Sequence, residues 1–424
     1  MQIRSLKKKL EELGQYSNIP GKQASQLKLS DKNVADLLDG HVIENEWGKC
    51  IVRQKSFPKE FRHAEPIHQY LTLQGHDFKL IAKDPTLANA DPQTFYFLDT
   101  ETTGLAGGAG TYVFLIGIGK FSDKSFVIKQ YFMIDYGSES AFLQEAKKEL
   151  VGGKGIVTFN GKSYDIPVLK NRFILNQIQH PFQDILHVDL LHVSRRLWKK
   201  SIGTCTLQNI EQQKLGFRRD GDIPGSEIPT LYFNYLTNND LAPLKKVLQH
   251  NVMDILSLVS IFIKASRAFR KDDLMNSDDY DALSVVKTFE SLGLYEKAGV
   301  LCRHLADENP DSIATDFMLR QAQNFKKLGR WQEAVKVWQE VCDRGRFHPL
   351  PYIELAKVYE HRKKDYLAAL TYVDRALKSL RVLSELGAEK YSDYHTDLVH
   401  RQKRLKRKMI RHRNGANANK KIIL

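Results

Sequence analysis

Between residues 93 and 268 the hydrophobic rhythm of the chain changes several times. Thr94-Phe-Tyr-Phe-Leu98 is a short apolar, aromatic run of the buried-strand kind. Tyr112-Val-Phe-Leu-Ile-Gly-Ile118 is a second and 127–134 a third, with turn signals between them. Gly104, Gly107, Gly108 and Gly110 separate the first two runs and predict a Gly-rich connection between neighbouring strands. Residues 141–150 have helical character, 155–159 read as a further strand ending at Asn160-Gly161, and 244–263 carry a helical apolar pattern. Three strands and then alternating helix and strand predict an α/β domain with a mixed sheet and helices on its faces.

Three other zones follow from the same reading. Residues 1–92 mix a basic amphipathic start with Pro-punctuated, weakly periodic sequence, and define no more than an N-terminal region. Over 281–385 helix follows helix and the sequence repeats. Leu292-Gly-Leu-Tyr-Glu-Lys-Ala298 returns as Leu328-Gly-Arg-Trp-Gln-Glu-Ala334 and, more weakly, as Lys364-Asp-Tyr-Leu-Ala-Ala369. The aromatics Tyr295, Trp331 and Tyr366 and the small residues Ala298, Ala334 and Ala369 recur at offsets of 36 and 35 residues. This all-α region resembles tetratricopeptide repeats, in which a small residue lets paired helices approach. The resemblance implies a protein partner; an ordinary helical bundle is the alternative. Residues 401–424 hold ten Lys and Arg and no Asp or Glu, which predicts a basic, partly helical arm without a core of its own.

Charge narrows the classes. The 424 residues carry 64 Lys+Arg against 50 Asp+Glu, a formal +14, which points to nucleic acid or an anionic membrane surface as a partner. Cys50, Cys205, Cys302 and Cys342 form no CxxC pair and read as free thiols in a reducing compartment. MQIRSLKKKLEELGQ is charged where a signal peptide is apolar, and 112–118 is far shorter than the ~20 residues that span a bilayer. The expectation is a cytoplasmic protein that meets nucleic acid and no membrane.

The chemistry lies in carboxylates. Asp99 and Glu101 stand two apart at the end of the first strand, where the strand period places both on one face of the sheet. Adjacent ionised acids repel, and a hard cation such as Mg²⁺ or Mn²⁺ relieves them. Asn160-Gly-Lys-Ser-Tyr-Asp165 follows a later strand, and His250 and Asp254 share a face of the 244–263 helix at i, i+4. On its own a D-x-E is as well explained by two solvated acids. The three blocks in this order resemble the motifs of the DEDD exonuclease superfamily.

The resemblance extends to Phe97-Leu-Asp-Thr-Glu-Thr-Thr-Gly-Leu-Ala-Gly-Gly108, Asp189-Leu-Leu-His192, Leu207-Gln-Asn-Ile-Glu211 and Asp222-Ile-Pro-Gly225. Together these are similar to the YprB-type ribonuclease-H-like proteins, which pair such a domain with tetratricopeptide repeats; the similarity covers roughly residues 42 to 265. It implies a ribonuclease-H-like 3′→5′ exonuclease domain over 93–268 without settling its substrate; the leading reading is single-stranded ends, with DNA or RNA open. Two divalent cations would be held by Asp99, Glu101, Asp165 and Asp254, with Asp99 bridging them, and His250 would act as general base. One departure is visible: related enzymes place Tyr four residues, or His five residues, before the last Asp, whereas here His250 stands at four and Gln249 at five. Thr102 is a candidate contact to the terminal nucleotide, with a turn role equally open. Arg195, Arg196 and Trp198 form a basic, aromatic stretch able to support a single strand, or else a solvated helix face. A contrasting reading is an inactive nucleic-acid-binding or protein-interaction scaffold working through its repeats; four retained acids argue against it.

Overall fold

A computed structural model describes residues 30–104, 110–270, 279–309, 311–344, 347–387 and 391–421. Gly107 and Gly108 of the predicted Gly-rich connection lie outside these residues, as does the basic N-terminal start. Two compact units interleave along the chain. The first takes residues up to His68, Gln93–His187 and Arg218–Val259; the second takes Gln69–Pro92, Val188–Phe217 and Ser260 onward.

The first unit is built on a mixed sheet. Its strands are β1 (His41–Asn45), β2 (Gly48–Pro58), β3 (Phe95–Thr102), β4 (Val113–Phe121), β5 (Ser125–Phe132), β6 (Gly155–Thr158) and β7 (Leu186–Asp189), in the order β1-β2-β5-β4-β3-β6-β7. Pairing is antiparallel from β1 to β3 and parallel between β3 and β6. The continuous buried runs of β3 and β4 suit inner strands covered on both faces. Two strands, β1 and β2, come from the N-terminal region in which the sequence pattern gave no element. Helices α1 (Asp31–Leu37), α3 (Glu139–Leu150), α4 (Asp165–Leu175), α6 (Ile228–Asn238) and the first part of α7 (Leu244–Arg267) pack here; α2 (Gly75–Ala82) and α5 (Leu190–Ile202) belong to the second unit. Helix α7 is long and apolar enough to cross a membrane, but 78% of its most apolar window is buried within the protein.

Two glycines let α7 lie close against the sheet. Gly117 pairs with Asp99 and Gly119 with Phe97 across the β3–β4 ladder. A Cβ on Gly117 would stand 2.6 Å from Ile255 Cδ1 and closer still to Asn251 Oδ1; one on Gly119 would stand 2.6 Å from Ile255 Cγ2. Any side chain there pushes the helix away.

The second unit is largely helical. Tyr70, Phe78 and Phe262 stack edge-on or tilted in its core, and α8 (Asp279–Ser291), α9 (Tyr295–Glu308), α10 (Asp311–Lys327), α11 (Trp331–Asp343), α12 (Pro349–Val358), α13 (Tyr366–Glu385) and α14 (Asp393–Lys421) follow in succession. Tyr295, Trp331 and Tyr366 each open a helix, while Ala298, Ala334 and Ala369 are wholly buried. Gly293 and Gly329 take left-handed φ values of 72° and 76° just before two of these helices, and Lys364 does so at 56° before the third.

The basic C-terminal stretch has a place in the second unit. Its start lies inside α14, whose Leu398 and Leu405 join a core with Tyr352, Ala369 and Val373. Arg401, Arg404 and Lys408 converge on Glu360, which is 0% exposed. A stretch that forms no core of its own instead covers one already there.

Candidate metal centre

β3 carries Asp99 and Glu101 to the rim of the first unit's core, both half-buried between buried Leu98, Thr100 and Thr102. The β3–β4 register shifts between Glu101 and Thr102, a bulge of the kind that re-aims side chains beside functional sites. Asp165 arrives from a different direction. After β6 the chain turns at Asn160, whose φ is 65°, and the Asn160 carbonyl accepts from the Ser163 and Tyr164 amides at 3.1 Å each. That turn sets Asp165 in the first turn of α4, where the helix dipole favours a carboxylate. Thr100 Oγ1 donates to Asp165 Oδ1 at 2.5 Å.

Helix α7 supplies the remainder. His250 Nδ1 donates to Asp222 Oδ1 at 2.8 Å, and its Nε2 lies 3.4 Å from Asp254 Oδ2. Asn251 Nδ2 donates to Asp99 Oδ2 at 2.8 Å, and Gln130 Nε2 donates to Asn251 Oδ1 at 2.8 Å and to the Leu248 carbonyl at 2.7 Å. Arg53 Nη1 donates to Gln130 Oε1 at 3.0 Å. A buried polar chain thus runs from Arg53 to the Asp99 carboxylate. Arg219 donates to Asp254 Oδ1 at 2.5 Å and to Asp222 Oδ2 at 3.0 Å.

The electrostatics fit a cation site. Burial raises the Asp99 carboxyl well above the usual carboxylate range, and Asp254 and Asp165 raise it further, against the Asn251 hydrogen bond. Burial likewise raises Glu101, joined by repulsion from Asp99, Asp254, Asp165 and Asp222. Asp222 moves the other way: its burial is outweighed by the His250 hydrogen bond and by Arg219. Arg219 offsets Asp222 and Asp254 on one side of this acidic cluster. Ligand atoms of Glu101, His250 and Asp254 all lie within 4.8 Å of one another. With Nδ1 donating to Asp222, His250 turns Nε2 toward Asp254 and the acidic site.

The acids and His250 predicted from sequence meet in this one site. Thr102 lies beside it, but its hydroxyl contacts the Gly104 carbonyl and Tyr164 Oη at 2.8 Å each, as a turn residue does. Arg195, Arg196 and Trp198 lie in the second unit on α5. Trp198 is 2% exposed, which withdraws its ring from base stacking. Arg196 is half-buried and donates to the carbonyls of Leu80 at 3.0 Å and Ile81 at 2.6 Å. Arg195 is exposed. Asp189 caps α5, accepting from the Leu191 amide at 3.0 Å. Sequence reasoning missed Arg219, Asp222, Asn251, Gln130 and Gly117. Asp222 and Gly117 stood in the quoted runs, and only the fold reveals what they touch.

A mixed sheet whose central strand ends in paired acids, joined by acids from two helices, defines a ribonuclease-H-like domain, and the RNase_H superfamily profile matches residues 96–266. The chain is also 33% identical over 363 residues to the uncharacterized protein YprB of Bacillus subtilis (strain 168), an alignment spanning 82% of this chain and 85% of that protein. It belongs to the YprB family.

Proposed function

We propose that this chain is a metal-dependent exonuclease of DEDD type that shortens single-stranded DNA or RNA from the 3′ end. The observation that carries the reading is the convergence of Asp99, Glu101, Asp165 and Asp254 on one site, where burial and mutual repulsion raise Asp99 and Glu101 well above the usual carboxylate range. Asp99, Glu101, Asp165 and Asp254 would hold two divalent cations, Mg²⁺ or Mn²⁺. Such ions lower the pKa of an attacking water and offset charge on the phosphate and leaving oxygen. The protein's own residues do the rest. Asn251 fixes one Asp99 oxygen, Thr100 fixes Asp165, and Asp222 fixes the His250 ring with Nε2 facing the site, placed to take a proton. The helices of the second unit are read as tetratricopeptide-like, on the shared helix starts, buried alanines and left-handed turn residues. They would offer a surface to a protein partner.

One observation favours the alternative of an inactive scaffold: Arg219 already neutralises Asp254. Asp99 and Glu101 are nevertheless raised well above the usual carboxylate range by burial and mutual repulsion, so the enzyme reading is preferred. The test is the full chain with Mg²⁺ or Mn²⁺ on 3′- and 5′-labelled DNA and RNA, single- and double-stranded. Progressive loss from the 3′ end of single strands is expected, abolished in Asp99→Asn and Asp254→Asn. Turnover in either variant near that of the unaltered chain refutes the assignment.

A further inference from the structure

A crevice of about 570 Å³ within the second unit is lined by Lys83, Arg195, Arg196, Lys199, Lys200 and Lys287, together with hydroxyl-bearing residues and no carboxylate among the described residues. Its walls follow from the local structure. Arg195 and Lys199 sit at i, i+4 on α5 and share a face, with Lys200 beside them. Arg196 bonds the last carbonyls of α2 and so fixes the end of that helix, where Lys83 is the C-cap with a φ of 56°. Lys287 comes from α8; burial lowers its ammonium, and Lys200 and Arg320 lower it further against attraction to Glu290, which marks these groups as close neighbours.

Some basic side chains of this unit are paired: Lys214 with Asp281, Lys326 with Glu354, Arg330 with Glu296 and Glu333. Lys83, Arg195, Lys199 and Lys200 have no ion pair among the described residues, and all face one hollow. Mutually repelling cations around a concavity select a polyanion. A peptide partner would need an aromatic or aliphatic anchor, and the aromatic of this segment, Trp198, is buried. Resting on the reading that the chain acts on nucleic acid, we propose that this crevice is a second nucleic-acid site, holding the phosphodiester backbone of a single strand by charge and without regard to base.

The experiment uses the full chain in EDTA, which prevents hydrolysis, and follows anisotropy of a labelled oligo-dT and of an abasic oligonucleotide across a salt series. The variant is Lys199→Ala/Lys200→Ala/Lys287→Ala, all exposed positions, with the triple Lys→Arg variant as rescue. Each lost phosphate contact lowers the salt slope by about 0.7 for a single strand, so the alanine variant should lose about 2 units of slope. Over a fourfold rise in salt that is roughly an 18-fold difference in lost affinity. The arginine variant should keep the slope, and the abasic strand should bind as oligo-dT does. An unchanged slope in the alanine variant overturns the proposal, as does a wild-type chain that binds neither strand. Displacement by millimolar inorganic phosphate would make it a free-phosphate site, and tighter binding of polyglutamate would make it a protein-docking site; either overturns the backbone assignment. Hydrolysis in Mg²⁺ is read separately. A chain that degrades strands with its slope unmoved loses this site and keeps the exonuclease reading; a slope effect without hydrolysis does the reverse.

Discussion

Gly117→Ala tests how the fold aligns Asp99. The new Cβ would meet Ile255 Cδ1 at 2.6 Å and Asn251 Cγ at 2.9 Å, whereas carbon atoms rest at about 3.5–4.0 Å. Helix α7 or its side chains must therefore retreat by about 1 Å. Asn251 cannot rotate away freely, because it donates to Asp99 at 2.8 Å and accepts from Gln130 at 2.8 Å. A retreat of that size stretches the Asp99 bond beyond hydrogen-bonding range. Overpacking costs about 1–3 kcal/mol and a hydrogen bond to a charged group contributes about 1.5–3 kcal/mol. The two overlap, so about 3 kcal/mol is expected, read as a fall of roughly 6–12 °C in Tm. A reacting group displaced by about 1 Å loses on the order of 10²-fold in rate. Asn251→Ala removes the nearest clashing atoms, so Gly117→Ala added to it should cost only about 1 kcal/mol, a coupling that a double-mutant cycle measures. A Gly117→Ala protein that melts within about 1 °C of wild type and turns over at full rate would refute the reasoning.

Two further outcomes follow from the same geometry. His250→Ala should lower the metal-dependent rate by ~10²–10⁴-fold with the metal concentration for half-activity unchanged, and His250→Tyr should keep more activity than the alanine variant; a large rise in that concentration instead makes His250 a metal ligand. Burial raises the Glu360 carboxyl, but hydrogen bonds from Arg404 and Lys408 and attraction to Arg404 outweigh it and bring it down to about 2. Its stabilisation is therefore complete above the ordinary carboxylate range and is lost as pH falls toward 2, a contribution of roughly 3 kcal/mol at most. Acid unfolding followed by circular dichroism should then show less pH dependence over that window in Glu360→Gln, and an identical acid transition would refute it.

What the sequence disclosed about the site depended on local periodicity. Spacing put Asp99 and Glu101 on one strand face, Asp165 behind a turn and His250 and Asp254 at i, i+4, and the resemblance to DEDD exonucleases is what joined them into one site. Asn251 shows the limit. It lies next to His250 in the chain, yet its role arises from β4, more than a hundred residues earlier, where two glycines open the space that lets its amide reach Asp99. Gly117 and Gly119 read from sequence as breaks in an apolar strand. Their meaning is a helix that is not yet in view. Arg219 is similar: its partners Asp222 and Asp254 lie 3 and 35 residues away, and no periodicity links all three. The strands from residues 41–58 were illegible for a related reason, since a strand's partners, rather than its own pattern, secure its place in a sheet.

The same logic explains how the arm is ordered and why the aromatic was misplaced. Residues 401–424 look like a solvated polycation when only their own composition is counted, since nothing within the segment can neutralise it. Outside the segment, Glu360, 41 residues before Arg401 and wholly buried, takes up three of its ten cations. A carboxylate that accepts from two arginines and a lysine orders the basic helix, while Leu398 and Leu405 supply the apolar seam. Trp198 erred in the opposite direction. Its cationic neighbours suggested an exposed stacking surface, but a helix presents successive residues about 100° apart, so one buried face and one basic face coexist within five residues. Lys199 and Lys200 keep the solvent side and Trp198 the core. The charge that the sequence assigned to base stacking therefore survives in the fold without its ring, which is why the crevice it lines is expected to hold a backbone and to ignore the bases.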